Sequence, residues 1–173
     1  MLKKTIGIVA GLGLMLAVAA AHAADITDTQ IAHVAYTAGT IDIAAAKVAL
    51  EKSKNAEVRA FAEDMVRDHT AVNDQALALL KKLNVKPEDN ATSQALTKQA
   101  NDKAAELAKL SGAAFDAAYV ANEVAYHQAV NGALEKTLIP GAKNAELKTL
   151  LTTGLKIFQG HQAHAEHLAM TVK

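Results

Sequence analysis

The chain has 173 residues with 18 basic and 18 acidic side chains, no cysteine and no tryptophan. The lack of cysteine excludes disulfides, thiolate catalysis, thiolate metal sites and c-type haem attachment. Balanced charge with only three Phe and three Tyr provides neither the basic stripe nor the stacking aromatics of a nucleic-acid binder, so no nucleic-acid partner is expected.

Residues 1–23 have the layout of a signal peptide. Lys3 and Lys4 precede the apolar run "IGIVAGLGLMLAVAA", and Ala21-His22-Ala23 supplies a small-x-small cleavage site before Ala24. The run is shorter than the ~20 residues a membrane span needs, and no cysteine follows to carry a lipid. The expected mature protein is exported and periplasmic, with no transmembrane segment. Removing Lys3 and Lys4 from 18 basic residues leaves 16 against 18 acidic. The stretch 24–173 is long enough for a single domain with a real core.

That stretch is rich in Ala, Leu, Lys and Glu and has only two prolines, an all-α composition. Thr27 or Asp28 can cap a first helix running to about Lys54. Asn55 caps a second, in which Val58, Ala62, Met65, Val72, Ala76 and Leu83 recur at helical spacing, ending near Asn84. "NVKPEDN" is a loop broken by Pro87. A polar third helix spans about Thr92 to Leu110 and stops at Gly112. The fourth runs from about Ala113 to Thr137, where "IPGAKN" predicts a turn, and the fifth starts near Asn144. Four long helices with a shorter one between two hairpins predict a ferritin-like four-helix bundle whose additional helix lies in the crossover.

Helical periodicity places each unusual polar residue relative to its own apolar stripe. Asp42 lies near the centre of the small-residue face formed by Ile31, Ala35, Ala38, Ala45 and Ala49. His69 falls within about 40° of the second helix's face. Glu123 and His127, four residues apart, share a face with Val120, Val130 and Leu134. His161 lies with Leu147, Leu150, Phe158, Ala165 and Leu168. In "HQAHAEHLAM" the histidines turn about 60° per three-residue step, which puts His164 at the stripe's edge and His167 and Met170 towards water. Charges are not left isolated in a core, so the inward groups should meet one another or a cation. An antiparallel hairpin brings Asp42 level with His69. Glu123 and His161 are matched across "IPGAKN", with His127 about one turn nearer that turn.

The segments "EVRAFAEDMVRDHTAVN", "LSGAAFDAAYVANEVAYHQAV" and "AELKTLLTTGLKIFQGH" resemble an exported bacterial ferritin-like domain family of unknown function, often labelled as outer membrane proteins. The resemblance covers roughly Thr27 to Met170. It implies that the family's histidines correspond to His69, His127 and His161 and its first-helix acidic position to Asp42, where the family usually has glutamate. Lys156 stands where the family usually has proline, and His164 and His167 are outside the pattern. A transmembrane barrel needs alternating strands, which helical segments do not supply.

Two readings follow. In one, Asp42, His69, Glu123, His127 and His161, with His164 as a further candidate, hold a transition-metal ion; imidazole with carboxylate suits Zn, Fe, Cu, Ni or Mn. In the other, the same groups form a structural hydrogen-bonded network, and the protein is a non-enzymatic envelope interaction or stress-protection module. A ferritin-type di-iron centre lacks its Glu-x-x-His pairs, since Val66, Val124 and Phe158 stand three residues before the histidines. No nucleophile motif, phosphate-binding loop or metal-hydrolase helix occurs, so an enzyme is not expected. The small-residue first helix permits close packing within the chain or in a homo-oligomer.

Overall fold

The computed structural model describes residues 26–172; the signal-peptide reading of residues 1–23 lies outside them. Among the described residues there are helices and connections only: α1 (Asp28–Lys52), α2 (Ala56–Lys82), α3 (Ala91–Ala108), α4 (Gly112–Ala133) and α5 (Ala145–Thr171). None of these helices is long and apolar enough to cross a membrane.

Helix starts follow local chemistry. Thr27 caps α1 in a reciprocal box with Gln30. Asn55 accepts from the Glu57 and Val58 amides, and Asn144 accepts from those of Glu146 and Leu147. Asp28, the other expected cap, has a different task. Its carboxylate accepts the Lys143 amide and the Asn144 amide, each at 2.8 Å, and so ties the α4–α5 turn to the start of α1. Gly112 opens α4 at φ +55, a left-handed conformation that a side chain would strain.

The expected stop of the fourth helix at "IPGAKN" is corrected. Helical backbone continues from α4 through a π turn, Leu134–Leu138, and on through Ile139–Gly141. Pro140 has no N–H and its ring crowds the carbonyl four residues earlier. The wider turn, with the Ile139 amide bonding the Leu134 carbonyl, lets the helix carry Pro140 before it ends.

Side-chain contacts give the directions. α1 and α2 form an antiparallel hairpin. α3 returns parallel to α1, with Asn90 reaching the Gln30 carbonyl at one end and Lys52 the Ala108 carbonyl at the other. α4 then runs alongside α2's direction, and α5 returns antiparallel to it, as the Asn131–Gln162 and Gln128–Glu166 bonds show. α3 is thus the crossover between two hairpins. It buries only Ser93 and Leu107, in keeping with its polar sequence.

Close approach of α1 to α2 depends on Gly39, where a Cβ would collide with the Asn73 side chain. The apolar interior falls into two parts. One, near the α1–α2 turn, contains Phe61, Met65, Phe115, Tyr119 and Leu168. The other, near the α4–α5 turn, contains Ile31, Leu80, Leu134, Leu138 and Leu151. Each large side chain fully buried here contributes about 1.5–3 kcal/mol. Leu83, expected on the buried face, is exposed because α2 ends there, and Leu80 packs in its place.

Candidate metal centre

Between the two apolar parts lies a layer of polar groups. Asp42 (α1), His69 (α2), Glu123 and His127 (α4) and His161 (α5) are all buried, so every long helix supplies at least one. One nitrogen each from His69, His127 and His161 lie within 4.8 Å of one another, and so do ligand atoms of Asp42, Glu123 and His127. His127 therefore belongs to both groups. One expected match is corrected: the His161 ring meets that of His127, at 5.5 Å between centroids, although the spacing across the turn matches His161 with Glu123. The helix-to-helix offset depends on packing and on the π turn, which residue counting omits.

Asp42 Oδ2 is 3.2 Å from His69 Nε2 and 3.4 Å from His127 Nε2. Neither approach is aligned as a hydrogen bond, and both Asp42 oxygens are without a partner, as are both His69 nitrogens. His127 Nδ1 bonds the Glu123 carbonyl at 3.0 Å. An imidazole that donates there presents Nε2 as its lone pair, and this Nε2 is buried and unpartnered. The His69 ring stacks on Phe158, 4.4 Å between centroids, which holds its plane.

The electrostatics follow from burial. Desolvation lowers His127 to about 4, aided by neighbouring His69 and partly opposed by Asp42. It also pushes His161 below the usual histidine value. Burial opposes ionisation of Asp42, yet His69, His127 and His161 together outweigh it and hold Asp42 below the ordinary carboxylate value. Burial and then the Asp42 charge raise Glu123 well above that range. The two neighbouring carboxyls are thereby driven apart, Asp42 towards the ionised form and Glu123 towards the protonated one. Tyr119, whose buried hydroxyl has no partner, is pushed up by burial and by both carboxyls.

His164 is not in the cluster. It is exposed and sets its ring edge-on to Phe61 at 5.2 Å. His167 and Met170 are exposed, as their angles predicted. Periodicity missed Asp68, whose Oδ2 lies 3.0 Å from His161 Nε2. Asp68 is about 100° away from His69 on the same helix, outside the apolar stripe. A search confined to that stripe passes over it, although "DH" puts the two side by side in sequence.

Comparison with curated proteins and with solved structures gives no match. The family described as a domain of unknown function, DUF4142, matches residues 14–168. The chain, with its all-helical fold and mid-bundle histidines and carboxylates, belongs to that DUF4142 family.

Proposed function

We propose that this is an exported, periplasmic, ferritin-like bundle that binds one transition-metal ion at its waist, without being an enzyme. The ligands are His69, His127 and His161 with Asp42, and Glu123 is a second carboxylate beside them whose ionisation burial opposes. The observation that carries this reading is where the unpartnered polar atoms lie. Among the described residues, seven of the eleven buried side-chain atoms without a hydrogen bond belong to these five residues. A self-sufficient structural network would hydrogen-bond those atoms, because each buried polar atom without a hydrogen bond costs about 1–3 kcal/mol. Here Asp42 Oδ2 meets two imidazoles at 3.2 and 3.4 Å without an aligned bond. A cation accepts several lone pairs at once and removes that cost.

Three imidazoles and a carboxylate suit Zn(II), Cu(II) or Ni(II), and also Fe or Mn. The α3 crossover between two hairpins supports the ferritin-like reading, while the residues before the histidines do not supply a di-iron pair. When bound, the ion would supply positive charge between the helices; the chain's own part is to hold the three rings and Asp42 converged.

The test is elemental mass spectrometry on protein purified without an affinity tag, beside the triple variant H69A/H127A/H161A. Stoichiometric metal in the wild type, lost in the triple variant, is expected. A metal-free wild type that takes up no metal on titration, with a triple variant that fails to fold, would establish the structural network instead.

A further inference from the structure

The ring of His161 is held from outside the cluster. Its Nε2 hydrogen-bonds Asp68 Oδ2 at 3.0 Å, while its Nδ1 is buried and without a partner. Asp68 is itself fixed from the solvent side. Arg67 Nε donates to Oδ1 at 2.7 Å and Nη2 to Oδ2 at 3.0 Å. The same guanidinium reaches Asp64 Oδ1 through Nη1 at 2.6 Å. Side-chain exposure falls from 67 % at Arg67 to 25 % at Asp68 and 8 % at His161. A chain of charge-assisted bonds thus runs from the surface of α2 to a ring on α5.

We infer that Asp68 is the positioning residue of the metal site: its carboxylate holds the proton on His161 Nε2 and leaves the buried Nδ1 as the lone pair offered to the cation. The inference rests on the metal reading proposed above. An ionised carboxylate only accepts, so the nitrogen facing it carries the hydrogen, and a neutral imidazole then has its lone pair on the other nitrogen. Histidines that bind metals characteristically donate their second N–H to a carboxylate or a backbone carbonyl, which fixes tautomer and ring plane and strengthens the donor. His127 uses the second version of this device, with the Glu123 carbonyl at its Nδ1. His161 uses the first, from a neighbouring helix. The two rings are aimed through opposite nitrogens, a difference that their sequence spacing does not reveal.

Asp68 has little else to do. Its pairing with Arg67 is largely at the surface, where such contacts add little to stability. Removing it should therefore change metal binding far more than folding. The experiment uses the full chain, with Zn2+ alone as the probe and nitrogen-15 NMR of the histidine rings. Wild type, D68A and D68N are compared, the last keeping an acceptor oxygen without the charge. In metal-free wild type above the titration of His161, the Nε2–H tautomer is expected. D68A should shift that ring towards a tautomer mixture and weaken zinc binding by about 10–100-fold, while its urea unfolding midpoint stays close to that of wild type. D68N should keep the tautomer and lose less affinity than D68A. A D68A chain with wild-type tautomer and wild-type zinc affinity would overturn the inference, as would a loss of affinity that merely follows a loss of folding. Wild type that binds no zinc would overturn the metal reading instead, and the tautomer recorded without zinc would still decide whether Asp68 sets it.

Discussion

Asp42 on α1 and His69 on α2 face each other 3.2 Å apart, carboxylate oxygen to Nε2, both almost wholly buried. The contact is close without being a hydrogen bond, and the other Asp42 oxygen is bare. Such a pair contributes little to stability by itself, since desolvation offsets the attraction. With His127 3.4 Å from the same oxygen, it becomes the corner of a ligand set.

Single substitutions should separate ligands from bystanders. H69A, H127A and H161A are each expected to weaken Zn2+ binding by ~100-fold or more, because each removes one nitrogen of three. H164A and H167A should leave it within about threefold, since a ring outside the ligand set contributes no bond to the ion. Isothermal titration on chelator-treated protein distinguishes the two groups. An H164A variant as impaired as H161A would move the site towards the end of α5.

Without metal, stability should fall on acidification. His127 is held neutral in the fold, at about 4 against an ordinary 6.5. Between those values the unfolded chain binds the extra proton, so stability is lost as pH drops through that window. His161, also lowered, acts in the same direction, and Asp42, lowered from 3.8, adds to the loss only below that value. Urea unfolding with a chelator present, at intervals from pH 7 to 4, measures the decline.

Glu123 acts with the opposite sign. Its folded value is raised well above 4.5, so its contribution is complete below 4.5 and lost as pH rises. The variant E123Q keeps the shape without the charge. At pH 8 the chelated variant should be more stable than wild type, with the gap closing towards pH 4. Equal stability at pH 8 would mean that the fold does not raise Glu123.

The α1–α2 approach gives a packing prediction. G39A should destabilise by about 1–3 kcal/mol, against the usual gain of alanine over glycine in a helix. The new methyl displaces Asn73, which otherwise donates to the Tyr36 carbonyl at 3.4 Å and to Thr40 Oγ1 at 3.3 Å. The cost should shrink in an N73A background, a coupling that a double-mutant cycle reads directly.

Asp28 joins the two ends of the fold that lie far apart in sequence. D28A removes the acceptor of the Lys143 and Asn144 amides and should cost about 1–2 kcal/mol. Hydrogen exchange at those two amides should accelerate more than at the Glu146 and Leu147 amides, which Asn144 still caps.

Local chemistry was readable along the chain. Thr27, Asn55 and Asn144 cap helices because their side chains reach free amides one turn on, and Pro87 keeps its loop from continuing α2. Periodicity turned Asp42, His69, Glu123, His127 and His161 inward, and all five are buried. The π turn was not readable, because Pro140 can either end a helix or widen it, and only the packed position of Leu134 and Leu138 decides.

Periodicity determines the angle of a residue about its own helix axis. It carries no information on how far that helix slides along its neighbours, or on what a residue outside the apolar stripe will meet. The sequence alone therefore determined an all-helical chain with five inward polar groups. Only the tertiary structure decided that both hairpins bring those groups to one level between two apolar cores. It also decided that His127 rather than Glu123 stands beside His161, that His164 turns away to Phe61, and that Asp68 reaches from α2 to α5. These are matters of translation and contact between helices, which loop lengths, Gly39 and the π turn set jointly.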